Sequence, residues 1–262
     1  EEMIRQSNAT VIVELAHTDL KTAESALSHC RAAFESGKHL VTGNKGPAAL
    51  AFPEMDALAR KHHCHFLNEA TVLSGTPVFS FAQKTLAGNT ISEIRGILNG
   101  TTNYILTEMQ NGSSFDQALT VADSRGYLEA DKSADIDGYD AQAKLAILAN
   151  ALLRKPLALS NIKRSGISSI TAEDILKASQ EGKRWKLIAT LTLHDDQVKG
   201  EVKAMKLDFD DPLSQVMGTL NAITFSTDLL GDVTIIGPGA GSMETGYAIL
   251  SDLLIINSQE SL

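Results

Sequence analysis

Cysteine is scarce in this chain: 262 residues hold two, Cys30 and Cys64. Two thiols cannot staple a secreted scaffold of this size, so the pattern points to a reducing compartment, with the cytoplasm as the expected location. Basic charge is also short, 23 Lys+Arg against 32 Asp+Glu, and the resulting net charge of −9 speaks against nucleic acid as a partner. No apolar run is long enough to span a bilayer: the most apolar stretch, 145–153, is broken by Asn150 and falls well below the ~20 residues required. The opening Glu1-Glu2-Met3-Ile4-Arg5 lacks the basic-then-apolar pattern of a secretory leader. What is present is ordinary globular composition, 43% hydrophobic and 21% charged, sufficient to bury a core. At this length two domains are expected rather than one.

The first segment reads as the grammar of a parallel sheet. A β-branched run at 10–16 precedes a helix in which Ala23, Ala26, Leu27, Cys30, Ala33 and Phe34 share one face, with Asp19 as its expected cap and Gly37 as its end. A second strand at His39–Thr42 enters the loop Gly43-Asn44-Lys45-Gly46-Pro47, where Pro47 suits a first helical turn and Pro53 splits or kinks the helix that Pro47 opens. A third strand around Cys64–Leu67 completes one βαβαβ half. A doubly wound dinucleotide fold needs two halves, with a glycine-rich turn in the first. Residues 1–68 contain no such turn, so a preceding βαβ unit is expected to lie outside this sequence.

Beyond Asn68 the alternation stops. Helices are expected at 78–86, 102–109, 115–125, 137–153 and 171–180, a strand at 91–99, and a hairpin from the runs 185–194 and 198–209. The fold class is therefore α/β: a partial Rossmann-type parallel sheet over 1–68, followed by an α+β substrate and dimerisation domain over 69–242. A C-terminal helix at 243–256 is expected to return to the first part.

Several segments carry chemistry. In 126–153, Glu129, Asp131, Asp135, Asp137 and Asp140 precede a single Lys144 at the entry to an apolar helix. Acids at a helix start and an i,i+4 Asp140–Lys144 pair have an ordinary structural reading. The helix beyond is apolar on nearly every face, however, which places the pair in protein or a cleft. A lysine beside a carboxylate in a dry cleft keeps its proton and can donate it to a carbonyl oxygen gaining negative charge. Gly237, Gly239 and Gly241 lie between a strand and a helix, but a nucleotide fingerprint also needs a second strand and a later acid. His62, His63, Cys64 and His65 are adjacent and so point to opposite faces, a spacing unsuited to zinc. The loop 68–78, with Glu69 among Gly and Pro, offers carbonyl oxygens to a hard cation.

Together, GILNGTTNYILTEM (96–109), GYLEADKSADIDGYDAQAKLAILA (126–149), EATV (69–72) and GPGAG (237–241) resemble homoserine dehydrogenase, over about 11–252. The resemblance is to a short form without a C-terminal regulatory domain. It implies interconversion of L-homoserine and L-aspartate 4-semialdehyde with NAD or NADP, on the route to threonine, methionine and isoleucine. It implies Lys144 as general acid/base, with Lys45 and Asp140 also catalytic. Glu129, Asp135, Gly100, Thr101 and Thr102 are implied at the substrate, and Asn44, Lys45, Glu14, Gly239 and Gly241 at the cofactor. Glu69 with Val72, Ser74 and Thr76 is implied to hold a monovalent cation, sodium, and the partner to be a second copy in a homodimer. A non-catalytic scaffold and another NAD(P)-linked semialdehyde reductase are the competing readings.

Overall fold

Three short parallel strands, β1 (Val11–Glu14), β2 (His39–Thr42) and β3 (Phe66–Leu67), lie side by side in that order in a computed structural model that describes residues 1–128, 132–195 and 197–260. Parallel strands need cover on both faces, and alternation along each strand shows how these obtain it. Phe66 stacks on Phe52 at 5.3 Å and meets Phe34 edge-on at 5.6 Å, so one face is closed by the helices Glu24–Glu35 and Phe52–Lys61. Val41 and the adjacent Leu67 turn the other way, into a cluster with Ile249, Leu253 and Ile256 of the C-terminal helix Ser242–Glu260. That helix thus packs on the sheet formed near the other end of the chain.

The chain divides into two units. The first comprises Glu1–Ala87, Ala146–Leu159 and Ala240–Leu262; the second comprises Gly88–Leu145 and Ser160–Gly239. The sequence places the first boundary at 68/69, nineteen residues short of this one, because the parallel grammar ends at β3. The loop after β3 and the helix Val78–Thr85 nevertheless belong with the first sheet, as does an apolar segment, Ala146–Leu159, that local pattern assigns elsewhere.

The second unit is built on six strands in the order β5-β7-β6-β4-β8-β9: β4 (Ile91–Ile97), β5 (Lys163–Arg164), β6 (Lys183–His194), β7 (Gln197–Asp208), β8 (Leu220–Thr227) and β9 (Gly231–Pro238). All neighbouring pairs are antiparallel except β5 with β7. Its core gathers Ile97, Ile188, Leu207, Leu213, Val216 and Ala222. The helix Gly100–Gln110 packs on β6 and β8, and Ala172–Gln180 packs on β6.

Two local expectations are corrected. Asp19 does not cap the helix Glu24–Glu35: its carboxylate accepts from the backbone of Lys21, Thr22 and Ala23, closing the turn before it, and Ala23 occupies the cap position in a left-handed conformation. The stretch 137–153 is not one α-helix. It runs as Ser133–Ile136, then Tyr139–Ile147, then a π turn at Leu148–Leu152, with Gly138 at positive φ marking the first break. No helix among the described residues is long and apolar enough to cross a membrane.

Candidate functional site

The turn that ends β4 and starts the helix Gly100–Gln110 organises the second unit's polar cluster. Asn99 caps that helix, its Oδ1 accepting from the Thr102 backbone N–H at 2.8 Å and from the Thr102 hydroxyl at 2.9 Å. Capping uses only the oxygen. The Asn99 amide nitrogen is left to donate elsewhere, and it donates to Asp135 Oδ1 at 2.6 Å and to Asp140 Oδ2 at 3.0 Å. One asparagine thus fixes a helix start and two carboxylates 36 and 41 residues away.

Lys144 completes the cluster from the helix Tyr139–Ile147. One turn after Asp140, its Nζ lies 2.8 Å from Asp140 Oδ2 and donates to the Leu98 carbonyl at 2.7 Å. Among the described residues, two of its three N–H donors are therefore engaged, leaving one for an incoming oxygen. Burial follows from the helix: Leu145, Ala146, Ile147, Leu148 and Ala149 are all fully buried, which draws Lys144 down to 8% exposure and Asp140 to 7%. Asp135 is 4% exposed. A buried ammonium is tolerable because a carboxylate and a carbonyl face it. Asp135 and Asp140 thus bring two carboxylates to the turn at which Lys144 is buried.

The other expected substrate residues sit at the same turn. Gly100 opens the helix, Thr101 donates its hydroxyl to the Tyr127 carbonyl at 2.6 Å, and Thr102 is fully buried. Glu129, expected beside them, lies outside the described residues. Sequence reasoning misses Asn99 and the Leu98 carbonyl. An Asn three residues before a Thr at a strand-to-helix junction is a legible cap signal, but its second set of partners is not local.

In the first unit, three of the expected cofactor residues, Glu14, Asn44 and Lys45, gather at the carboxyl ends of β1 and β2, where open α/β sheets receive ligands. Asn44 caps the helix Lys45–Leu50, accepting from the Gly46 N–H at 2.9 Å and donating to the carbonyls of Ala16 at 3.1 Å and His17 at 3.3 Å. This joins the loop after β2 to the loop after β1. Lys45 begins that helix and is half-buried. Glu14 is turned inward: it accepts from the Ala16 N–H at 3.0 Å and from the Thr42 hydroxyl at 3.3 Å, and only 4% of it is exposed. Its carboxylate shapes the turn that bears the site. Gly241 has φ +141°, and a β-carbon there would sit 1.9 Å from Glu244 Oε2, so the backbone needs glycine to start the final helix. Gly239, in the second unit, packs against Asn221.

Glu69 has a structural task that its sequence position does not reveal. Its carboxylate accepts from the backbone N–H groups of Phe79 and Ser80, each at 2.8 Å, and from the Ser80 hydroxyl at 2.6 Å. It therefore caps the helix Val78–Thr85, whose own cap position is Pro77. Ser74 shares a hydrogen bond with Thr245 at 2.7 Å, and the Thr76 carbonyl accepts from Val78 at 2.9 Å. Among the described residues no group of three or more His, Cys, Asp or Glu side chains is placed to hold a metal ion.

Comparison with known proteins matches residues 77–254 to the family model described as homoserine dehydrogenase. Among similar sequences, the NAD(+)-dependent homoserine dehydrogenase of Pseudomonas canavaninivorans is 43% identical over 258 residues, covering 98% of this chain and 73% of that protein. The homoserine dehydrogenase of Methanocaldococcus jannaschii is 43% identical over 259 residues, covering 97% and 75%. Among solved structures, the putative homoserine dehydrogenase of Archaeoglobus fulgidus superposes with a TM-score of 0.89 at 36% identity, covering 97% of this chain and 77% of that one. The chain thus spans about three quarters of the length of each.

Proposed function

The chain belongs to the homoserine dehydrogenase family of oxidoreductases, and from that premise we propose that it interconverts L-homoserine and L-aspartate 4-semialdehyde, with Lys144 moving the proton at the reacting oxygen. The observation that carries the assignment of Lys144 is its geometry: a buried ammonium held at 2.8 Å by Asp140 and at 2.7 Å by the Leu98 carbonyl.

A nicotinamide cofactor supplies the hydride for reduction and accepts it in oxidation. The loop formed by Asn44 and Lys45, at the carboxyl ends of parallel strands, fits such a ligand, and NAD is the form named for the Pseudomonas relative. In reduction, Lys144 donates a proton to the aldehyde oxygen as it gains charge, and Asp140 keeps the ammonium oriented. In oxidation, Lys144 starts neutral and takes the proton of the homoserine hydroxyl. Asp135, fixed by Asn99, and Glu129 meet the α-ammonium of the amino-acid substrate. The helix start at Gly100–Thr102 belongs to the same cluster, and Lys45 is the second lysine of this reading. No step depends on a cation at Glu69, Val72, Ser74 and Thr76.

Assembly as a homodimer is supported by the outer strand β9 and its turn, where Leu229 (71%), Leu230 (58%) and Ile236 (53%) are exposed. A monomer by light scattering at micromolar concentration would count against it. A cytoplasmic setting is supported by Cys30 and Cys64, both free and buried, with burial pushing the Cys30 thiol up to about 12. The direct test of the function is absorbance at 340 nm with the purified chain. Cofactor reduction by L-homoserine, and its reversal by the semialdehyde, are expected; no turnover in either direction with either cofactor overturns the proposal.

A further inference from the structure

Asn221, the second residue of β8, is fully buried, and neither its Oδ1 nor its Nδ2 hydrogen-bonds to another described protein group. Buried carboxamides in native proteins are nearly always paired, so one left without a protein partner asks for a use. Two glycines press against it. A β-carbon built on Gly239 would fall 1.9 Å from Asn221 Oδ1, 2.2 Å from its Cγ and 2.7 Å from its Nδ2. One built on Gly100 would fall 3.1 Å from the same Oδ1 and 2.5 Å from the Thr219 carbonyl oxygen. Gly100 belongs to the turn that carries Asn99 and, through it, Asp135 and Asp140. Gly239 opens the Gly-Ala-Gly turn after β9.

We propose that Asn221 is a positioning residue that couples the substrate turn at Gly100 to the cofactor turn at Gly239, its carboxamide becoming hydrogen-bonded when both ligands are seated. The inference rests on the function proposed above. Its physical basis is that two bare α-carbons share one carboxamide, with no side chain on either to absorb movement. A ligand that shifts one turn therefore moves the amide against the other, and the amide breaks no protein hydrogen bond in moving. Such a link is reciprocal: each ligand must tighten the other by the same factor.

The test uses the full chain and a dead-end pair, the reduced cofactor with L-homoserine, which cannot react together. Cofactor fluorescence is titrated with and without homoserine, using NADH or NADPH according to which supports turnover. In the wild type homoserine should tighten the cofactor by about fivefold or more. In Asn221→Ala the gain should fall below about twofold, with circular dichroism unchanged; if that variant melts below the assay temperature, Asn221→Ser carries the same measurement. No tightening in the wild type, or full tightening in the variant, overturns the proposal. A second readout is steric. Gly239→Ala should lower Tm in the wild type and much less in the Asn221→Ala background, where the obstructing amide is gone. Gly100→Ala, which faces the Thr219 carbonyl, should be as damaging in both. Additive losses at position 239 also overturn it. A wild type that turns over no homoserine strikes the functional reading itself; an active wild type whose coupling survives Asn221→Ala strikes only this inference.

Discussion

Replacing Asp140 by Asn keeps the side chain's shape while removing one charge from the centre of the cluster. Asp140 Oδ2 faces Lys144 Nζ at 2.8 Å and accepts from Asn99 at 3.0 Å, with both charged side chains about nine-tenths buried. At that distance the attraction is about 6 kcal/mol for an effective dielectric of about 20. Much of this is offset by the desolvation of both groups, so breaking the pair from one side leaves a net loss of about 3–5 kcal/mol. Both contacts are to the same oxygen, so an asparagine whose carbonyl oxygen takes the Oδ2 position still accepts from Asn99 and from Lys144, and what it cannot replace is the charge. Lys144 keeps the Leu98 carbonyl, so the chain should still fold, with a lowered Tm. If about 2–4 kcal/mol of the loss is felt in the transition state, kcat falls by roughly 30- to 1,000-fold at 1.4 kcal/mol per tenfold. Steady-state homoserine oxidation at 340 nm measures this. A kcat/KM within about threefold of wild type, in a folded variant, would refute the reasoning that Asp140 orients the lysine.

Two further outcomes are expected. Lys186 is fully buried beside the Asn103 side chain and the Val216 carbonyl, and burial holds its ammonium down to about 7. An unfolded lysine keeps its proton to about pH 10.4, so the unfolded chain binds more protons between about pH 7 and 10 and stability climbs with pH there, by up to about 4–5 kcal/mol. Lys186→Met should lack that climb, so its stability relative to wild type, from urea midpoints, should be more favourable at pH 7 than at pH 9.5; a pH-independent difference would show that Lys186 does not titrate as stated. Glu69→Ala should expose three orphaned donors at the start of the helix Val78–Thr85, costing about 1–3 kcal/mol, and an unchanged Tm would remove Glu69 from its role as cap.

Much of this architecture is legible locally. The runs at 10–16 and 39–42 are read as strands from their Val, Ile, Leu and Thr content, and they hold β1 and β2; Lys144 with Asp140 is read from one helical turn followed by an apolar run. Illegible features share one cause: they depend on partners far along the chain. Asn99 looks like a cap, but its hold on Asp135 and Asp140 exists only once β4 and the helix Tyr139–Ile147 are brought together. Glu69 reads as a cation ligand in a Gly/Pro loop, and its role as cap of the helix ten residues on has no local signal. The strand β8 leaves no local signature because Leu220–Thr227 is buried almost throughout and lacks alternation. The unit boundary is hidden as well, since the chain enters the first unit three separate times.

Lys144→Met tests the central claim most directly, because it preserves most of the side chain's length and apolar contact and removes only the ammonium. With the fold and cofactor affinity checked first, kcat in both directions should drop by about 100- to 10,000-fold, the range for loss of a positioned general acid/base. Activity within about tenfold of wild type in either direction would show that the proton travels by another route.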